Sequence, residues 1–416
     1  MPRGNTKCDE KGTTMSKQWS GERLQHLYLV LDDWSEGYSI RRINLSAEDI
    51  RPPLIPADAA QGDAIFTGRY TLPSALFRFE GRRGEPKSIV GAFGNKILAS
   101  LPLTHGRSHA NEIHVFDIRT RSFILRSWPS QDVFNFNHIC IPIGGTLFVL
   151  SNDSFDMLNL PLVYDYANRN CAWSCFKLPE PTFPSNLITS YAVHPHEQTI
   201  FVSSVDQSGV FATFSFSVDS MMWRQHGPWQ LPFNGCGYFV PNLGVWVGLS
   251  GERNTIGHIC SCAVVSSLAS HNERPVLKLS KEKLFSEVSG ERHIGATLIY
   301  MGGENKFCLL EGICVEADWA DQQKADWADQ LTEFGERNDD YVDDLNETDS
   351  DEMSVESFDE VNEKLDPKRF LRLTTFSLCY DKNGELTVGN SRRVWYYNVS
   401  TEVTEAALKC PMAFWM

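Results

Sequence analysis

Three potential metal ligands, His258, Cys260 and Cys262, alternate along one apolar segment of this 416-residue chain. Because alternate residues of a β-strand share a face, all three would point in the same direction. Zinc accepts histidine and cysteine, but a tetrahedral site usually draws its ligands from two turns, and no CxxC pair stands elsewhere in the chain. The pattern favours a buried strand face that uses cysteine as a small filler, so we predict no metal and no cofactor.

Two further pairs could perform acid–base chemistry. His194 and His196 flank a proline in a predicted turn, and Asp32 and Asp33 end the first predicted strand. Paired carboxylates can share acid–base work when their pKa values are separated, but neighbouring strand residues point to opposite faces. We therefore interpret the aspartates as turn formers that bond to the backbone near Gly37, and the histidines as an exposed polar turn.

The common catalytic motifs are absent from the sequence. It contains no GxSxG elbow, P-loop, GxGxxG fingerprint or HExxH helix. We therefore predict no catalytic residues and take a non-catalytic protein as the first hypothesis. An enzyme whose site assembles from residues distant in sequence, as at the channel of a ring-shaped fold, stays open as an alternative.

Composition indicates that strands position these residues. Aromatic residues make up 12% of the chain, and 29 Gly and 20 Pro are spread along it. Aromatic side chains favour strands, and frequent Gly and Pro favour turns. The first 25 residues lack an apolar signal segment, no run is long enough to span a bilayer, and the 11 cysteines are scattered. We expect a soluble protein in a reducing compartment, cytoplasmic or nuclear.

A repeat of about 50 residues, typical of kelch propeller blades, organises the chain. Five similar apolar segments begin 50, 51, 47 and 58 residues apart, and each opens a unit of four short strands. In the third unit the third strand is predicted at LVYDYAN (162–168). The repeat predicts an all-β fold, a β-propeller with degenerate kelch-like blades. Six blades fit the spacing best, and five or seven are the alternatives. The five segments begin at Ser88, His138, Thr189, Cys236 and Ile294.

The ends of the repeat predict how the ring closes. The first unit is partial, with runs at 27–33, 37–46 and 75–81, and RVWYYNV (393–399) is a spare strand. A terminal strand that completes the opposite blade leaves no exposed edge, so we expect closure by 393–399. The predicted divisions are a disordered tail (1–24), the propeller (25–315 and 367–402), an acidic insert (316–366) and a C-terminal tail (403–416).

Several units share a turn pattern in which an aspartate precedes a tryptophan. A turn aspartate can bond to its own backbone. The tryptophan that follows could cover the interface between two blades. The pairs are Asp117 with Trp128, Asp165 with Trp173, and Asp219 with Trp223.

The negative charge of the chain is concentrated in residues 316–366. This segment carries 20 acidic and 3 basic residues, a net charge of −17 against −15 for the whole chain, so the remainder carries +2. Low hydrophobicity with high net charge predicts disorder. A doubled ADWADQ element permits either a short amphipathic helix or a solvated tandem duplication. Its candidate interaction residues are Trp319, Trp327, Phe334, Asp339, Asp340, Asp343 and Asp344.

The opening LYLVLDDW (27–34), followed by GYSI (37–40), resembles a plant family, mostly from grasses, known only as a domain of unknown function. The resemblance extends over about 26–400 and more loosely to kelch and F-box-associated propellers. It implies a propeller fold and no established activity. Wider relatives often carry an N-terminal F-box, and about 25 polar residues before the first strand leave no room for one here.

Three functions follow from these observations. The first is a non-catalytic scaffold that binds unidentified protein partners, with basic proteins as candidates, through propeller loops and the acidic insert. The second is a substrate-recognition component of a ubiquitin ligase that lacks its own F-box. The third is an enzyme with a site at the propeller channel. We expect no membrane partner and no nucleic-acid partner, because basic residues occur only in isolated pairs.

Overall fold

The computed structural model describes residues 25–45, 67–81, 83–84, 91–99, 112–127, 139–151, 154–159, 174–266, 274–303, 305–315, 368–389 and 392–416. Within these ranges the regular structure is β-strand, apart from one short α-helix and two single-turn 3-10 helices at Ser185–Leu187 and Arg253–Thr255. This agrees with the strand-rich composition.

The first strands form three separate antiparallel sheets of four strands. The first meander contains β1 (Leu27–Trp34), β2 (Gly37–Ile43) and β4 (Ala75–Glu80), and its fourth strand comes from the end of the chain. Strand β3 (Thr67–Thr71) lies between β2 and β4 in sequence but belongs to another sheet. The second contains β5 (Gly91–Phe93), β6 (Lys96–Ala99), β7 (Glu112–Asp117) and β8 (Ser122–Ser127). The third contains β9 (Ile139–Ile143), β10 (Thr146–Leu150), β11 (Phe155–Asn159) and β12 (Ser174–Lys177).

The later strands form further meanders that are joined into one sheet of 14 strands. The fourth meander contains β13 (Ile188–Val193), β14 (Thr199–Val205), β15 (Phe211–Ser217) and β16 (Met222–Gly227). The fifth contains β17 (Phe233–Val240), β18 (Val245–Ser250), β19 (His258–Ala263) and β20 (Leu277–Lys283). The sixth contains β21 (Glu291–Gly302), β22 (Lys306–Val315), β23 (Lys368–Tyr380), β24 (Leu386–Val388) and β25 (Arg393–Val399). Helix α1 (Glu405–Lys409) and β26 (Met412–Trp415) end the chain.

Buried apolar residues lie between the meanders, as in a ring of sheets packed face to face. Each of six clusters takes its members from two consecutive meanders, and the last cluster joins the sixth meander back to the first. Representative pairs, in order around the ring, are Phe79 with Ile97, Leu98 with Leu147, Phe148 with Phe216, Phe201 with Trp246, Val247 with Leu309, and Leu371 with Leu29.

The ring closes through the C-terminal strand. β26 pairs with β1, from Leu27 opposite Trp415 to Val30 opposite Met412, and so completes the first meander. The propeller class and closure by a terminal strand are therefore confirmed, but the predicted closing strand is wrong. β25 (393–399) instead pairs with β23 and, in parallel, with β3.

Residues 403–416, predicted as a C-terminal tail, belong to the fold because Val403 and Leu408 are buried in the cluster between the sixth and first meanders. Helix α1 lies against the sixth meander, where a Cβ at Gly295 or Gly312 would stand 2.1 or 2.5 Å from a helix carbonyl oxygen.

The third strand of the third meander also differs from the prediction. β11 fills that place, pairing with β10 on one side and β12 on the other, because Phe155 and Leu158 are buried there. The predicted strand at 162–168 lies outside the described residues.

Of the three predicted aspartate–tryptophan pairs, the structure describes the aspartate of the first and both residues of the third. Asp117 Oδ1 accepts backbone N–H bonds of 2.9 and 3.0 Å from the turn after β7. Trp223 packs against Phe155 and Phe183 between the third and fourth meanders, and its indole N–H donates to the Pro179 carbonyl at 3.0 Å. Trp128, Asp165 and Trp173 lie outside the described residues.

Candidate functional site

One edge strand of each meander lines the inside of the ring: β26 in the first meander and the first strand in each of the others. β13 and β17 pair in parallel, with Tyr191 opposite Cys236. β5 lies beside β9, β17 beside β21, and β21 beside β26. In a ring of radial sheets the innermost strands are the ones that approach each other in this way. Polar side chains of these strands are therefore the natural candidates for a channel site.

Four such side chains, Cys140, Tyr191, Cys236 and Tyr238, form what we call the channel cluster. Tyr191 lies opposite Cys236 in the parallel pairing of β13 and β17, and Tyr238 lies two residues further along β17. Cys140 on β9 is close enough to contribute to the raised pKa of Tyr191. The Tyr238 hydroxyl donates to the Leu298 carbonyl at 3.0 Å. The cluster thus links β9, β13 and β17 and reaches the backbone of β21.

Close approach of β5 and β9 places Cys140 at this wall. A Cβ at Gly91 would lie 3.1 Å from the Cys140 Cβ, and Gly91 has a φ of +142°, which other residues rarely adopt. β5 can lie this close to Cys140 because position 91 carries no side chain.

The channel cluster is uncharged at neutral pH. Burial raises the pKa of Cys236 to about 11, and burial is the main reason why the pKa values of Tyr191 and Tyr238 lie well above their usual value. Burial also raises the pKa of Cys140. Because a protonated thiol is a weak nucleophile, the cluster offers neutral hydrogen-bond donors rather than a thiolate or a base.

The sequence prediction did not select the channel cluster, although the repeat contained a signal for it. Cys140, Tyr191 and Tyr238 each occupy the third position of their repeated apolar segment. Equivalent positions of propeller blades lie at equivalent places around the ring, so aligning the repeats would have grouped these residues.

His258, Cys260 and Cys262 lie on β19 and have separate partners. Cys260 and Cys262 are buried, and the Cys260 thiol lies 3.5 Å from two backbone carbonyl oxygens. His258 Nδ1 lies 2.9 Å from the Ser280 carbonyl oxygen. Burial raises the pKa of Cys262 to about 12. These contacts fit the interpretation of a packed strand face.

The histidine turn divides into one exposed and one enclosed residue. His196 is exposed, as expected, but the His194 side chain is only 11% exposed. His194 Nδ1 accepts the backbone N–H groups of His196 and Glu197, at 3.3 and 3.0 Å. The prediction of an exposed pair is therefore wrong for His194, whose ring holds the turn from inside. Burial lowers the pKa of His194.

Asp32 and Asp33 point to different partners, as their positions on one strand require. Asp32 is fully buried and accepts the backbone N–H groups of Gly84 (2.8 Å) and Thr404 (3.0 Å). Asp33 forms an ion pair of 2.6 Å with Arg41. Both aspartates lie within β1, so their interpretation as formers of the next turn is wrong.

A buried ionic network on the sixth meander was also missed. The Glu311 carboxylate is fully buried and lies 2.8 Å from Arg372 Nη1 and 2.9 Å from His293 Nδ1. The backbone N–H of Ser286 donates to both Glu311 oxygens, at 3.3 and 3.2 Å. A charged residue within the apolar run of each strand was the available signal, Glu311 in KFCLLEGICV and Arg372 in KRFLRLTTFSLCY, since buried charges are usually paired.

The candidate interaction residues of the insert lie outside the described residues, and their role stays a prediction. They are Trp319, Trp327, Phe334, Asp339, Asp340, Asp343 and Asp344. The described strands on either side, β22 and β23, pair with each other up to Val315 and Lys368. The chain therefore leaves the sixth meander and returns to it at one point, between its second and third strands.

No described helix is long and apolar enough to cross a membrane.

No curated protein matches the sequence. Similar solved structures include a Bacteroides uniformis protein provisionally assigned as a 6-phosphogluconolactonase, with 11% identity, a TM-score of 0.37, and coverage of 91% of this chain and 99% of that one. Hydrazine synthase from Kuenenia stuttgartiensis has 9% identity, a TM-score of 0.29 and coverage of 81% and 69%. TolB from Acinetobacter baumannii has 8% identity, a TM-score of 0.16 and coverage of 49% and 73%.

A family model matches far more of the chain than any local motif does. It spans residues 24–397, from the segment before β1 to within β25, and is described as a protein of unknown function, DUF1668. This match agrees with the expected resemblance to a domain of unknown function over most of the chain. The chain therefore belongs to the DUF1668 family of proteins of unknown function.

Proposed function

We propose that this chain is a non-catalytic binding scaffold, a six-bladed propeller that recognises protein partners through the loops at its faces. The observation that carries the proposal is that side chains hold the turns in fixed shapes. Asp206 Oδ1 accepts two backbone N–H bonds of 2.8 Å in the turn after β14, and Asp381 Oδ1 accepts bonds of 2.8 and 2.9 Å in the turn after β23. Preorganised loops on a rigid body lose less entropy when they bind.

The chemistry of the channel cluster supports binding over catalysis. Its thiols and phenols are held in their neutral forms, and Tyr238 is engaged by the Leu298 carbonyl. A catalytic base or nucleophile needs a pKa near the working pH, and burial shifts these groups away from it. The cluster is better suited to stabilising the inner wall.

The acidic insert supplies a second, electrostatic contact. Its net charge of −17 contrasts with +2 for the rest of the chain. Concentrated charge mainly raises the rate of association and makes binding sensitive to salt, because counter-ions screen it. The partners we propose for it are basic proteins of the cytoplasm or nucleus, not nucleic acid or membranes.

The test is a pull-down from plant extract at low and high salt with three proteins. They are the full chain, a variant with 316–366 replaced by a short Gly/Ser linker, and a variant with Asp339, Asp340, Asp343 and Asp344 changed to Asn. Partners that bind all three and survive salt support recognition by the propeller loops. Partners that bind the full chain only, and are lost in salt, support the insert.

A matched variant, Trp319→Ala with Trp327→Ala, separates charge from apolar contact within the insert. Loss of partners in this variant, with retention in the Asn variant, would contradict an electrostatic role. Failure of every variant and of the full chain to retain any protein at either salt concentration would refute the scaffold proposal.

A further inference from the structure

Two arginines of the sixth meander converge on one backbone oxygen. The Leu284 carbonyl accepts Arg372 Nη1 at 2.8 Å and Arg392 Nη2 at 3.5 Å. The two guanidinium groups are therefore neighbours, and their positive charges repel each other. Burial and the charge of Arg372 both lower the pKa of Arg392.

The carboxylates around this pair have other partners. Those that act on Arg392 are Glu282, which accepts the Val388 backbone N–H at 2.9 Å, and Glu287, which pairs with Lys283 at 3.7 Å. Glu311 accepts Arg372, His293 and the Ser286 backbone. Glu291 accepts the Ser286 and Tyr396 hydroxyls. None of the ion pairs in the described part of the chain includes Arg392.

Each arginine has one buried donor without a partner. The Nε atoms of Arg372 and Arg392 are buried and have no hydrogen-bond acceptor among the described residues. Buried polar groups in folded proteins nearly always have a partner. Two such donors, on two adjacent cations, call for an acceptor that is itself negative.

We propose that Arg372 and Arg392 form a binding site for a small oxyanion of the phosphate or carboxylate kind. A guanidinium presents parallel N–H donors that match the oxygens of both groups. Arg372 is held in place by Glu311 and by the Tyr396 ring, 6.0 Å from its guanidinium carbon. Arg392 is only partly buried, so the site opens to solvent on its side.

The site is distinct from the channel cluster and lies between the fifth and sixth meanders. Leu284 and Ser286 belong to the connection from β20 to β21, which crosses the face of β22 and β23 that carries Glu311 and Arg372. A bound anion would therefore join two neighbouring blades, and its effect should appear in stability as well as in binding.

The test is titration of the full chain with sodium phosphate, sodium acetate or sodium chloride at constant ionic strength. Thermal unfolding and isothermal calorimetry are the readouts. The variant Arg392→Gln removes one cation, and Arg393→Gln removes the charge of the exposed neighbour as a matched control. Arg392→Met keeps the aliphatic stem if the Gln variant folds poorly.

We expect a saturable rise of the unfolding midpoint and measurable heat with phosphate or acetate for the wild type and Arg393→Gln. Either Arg392 variant should lose at least tenfold in affinity. Saturation by phosphate alone identifies a phosphate site, and saturation by acetate alone identifies a carboxylate site. Three results would overturn the proposal: an equal rise of the unfolding midpoint with chloride, a rise that does not saturate, or an equal response of the Arg392 variants. Each would mean that water is the partner of the two Nε donors.

Discussion

Replacing Asp32 with alanine removes the acceptor that ties β1 to the C-terminal segment. Its carboxylate receives the Gly84 and Thr404 backbone N–H groups and the Thr404 hydroxyl, which also caps helix α1 through Ala407. Asp32 is fully buried, so water cannot replace these bonds without entering the interface between the first and sixth meanders. The substitution therefore tests closure itself.

The expected cost follows from the number and kind of these bonds. A hydrogen bond to a charged acceptor contributes about 1.5–3 kcal/mol, and a buried donor left without a partner costs about 1–3 kcal/mol. Because three bonds to one carboxylate are not additive, we expect Asp32→Ala to lower the free energy of unfolding by about 3–5 kcal/mol, the range for breaking a buried charged contact. Asp32→Asn keeps one acceptor oxygen and should cost less.

Urea unfolding followed by tryptophan fluorescence measures this loss, with Asp219→Ala as control because Asp219 is an exposed turn residue. A double-mutant cycle with Thr404→Val isolates the contact between the chain ends, and we expect a coupling of about 1–3 kcal/mol. A free energy of unfolding for Asp32→Ala within about 0.5 kcal/mol of wild type, the usual range for surface substitutions, would refute the reasoning. So would a coupling near zero.

Three other outcomes follow from the structure. Deleting residues 403–416 should abolish cooperative unfolding, measured by circular dichroism, because it bares the edge of β1 and removes buried Val403 and Leu408. The pKa of His194 is lowered in the folded chain, so the unfolded chain binds more protons near pH 6. The free energy of unfolding is therefore highest above the unfolded pKa of histidine and decreases as the pH falls through that value. The substitution His194→Asn, whose side-chain oxygen can still accept the turn N–H groups, should flatten this pH dependence in urea titrations between pH 5 and 7. Ellman's reagent at pH 7.5 should modify the exposed thiols of Cys379 and Cys410 well before that of Cys236, and mass spectrometry measures the rate at each cysteine. Equal rates of modification would contradict a neutral thiol in the channel cluster.

Strand positions could be predicted because the apolar repeat is strong and local. The apolar segments GVWVGLS (244–250), NKFCLLEG (305–312) and FLRLTTFSLCYD (370–381) are predicted as strands, and all three correspond to observed strands. Second and third strands are packed on both faces and are almost continuously apolar, which makes them easy to recognise. The closing strand could not be found in this way. β26 has four residues, follows a helix, and is defined by pairing with β1 at the other end of the chain.

The candidate site was less accessible to prediction because its members are far apart in sequence. Cys140, Tyr191 and Cys236 come together only when β9, β13 and β17 take their places around the ring. Likewise, Leu284 connects Arg372 to Arg392 through a backbone carbonyl, and no sequence pattern reports which carbonyl a guanidinium will reach.

The position of the acidic insert explains how the fold tolerates it and gives a final prediction. β22 and β23 pair without interruption from Lys306 opposite Ser377 to Val315 opposite Lys368, so the hairpin holds the ends of the insert together. Loop-closure cost rises only as the logarithm of length, so shortening about 50 residues to a six-residue linker should stabilise the protein by roughly 2 kcal/mol. Thermal unfolding and urea titration of the 316–366 replacement measure this, with a Gly/Ser linker of the original length as control. A lower unfolding midpoint for the short-linker variant than for the wild type would mean that the insert contributes contacts to the fold and is not only a tethered surface.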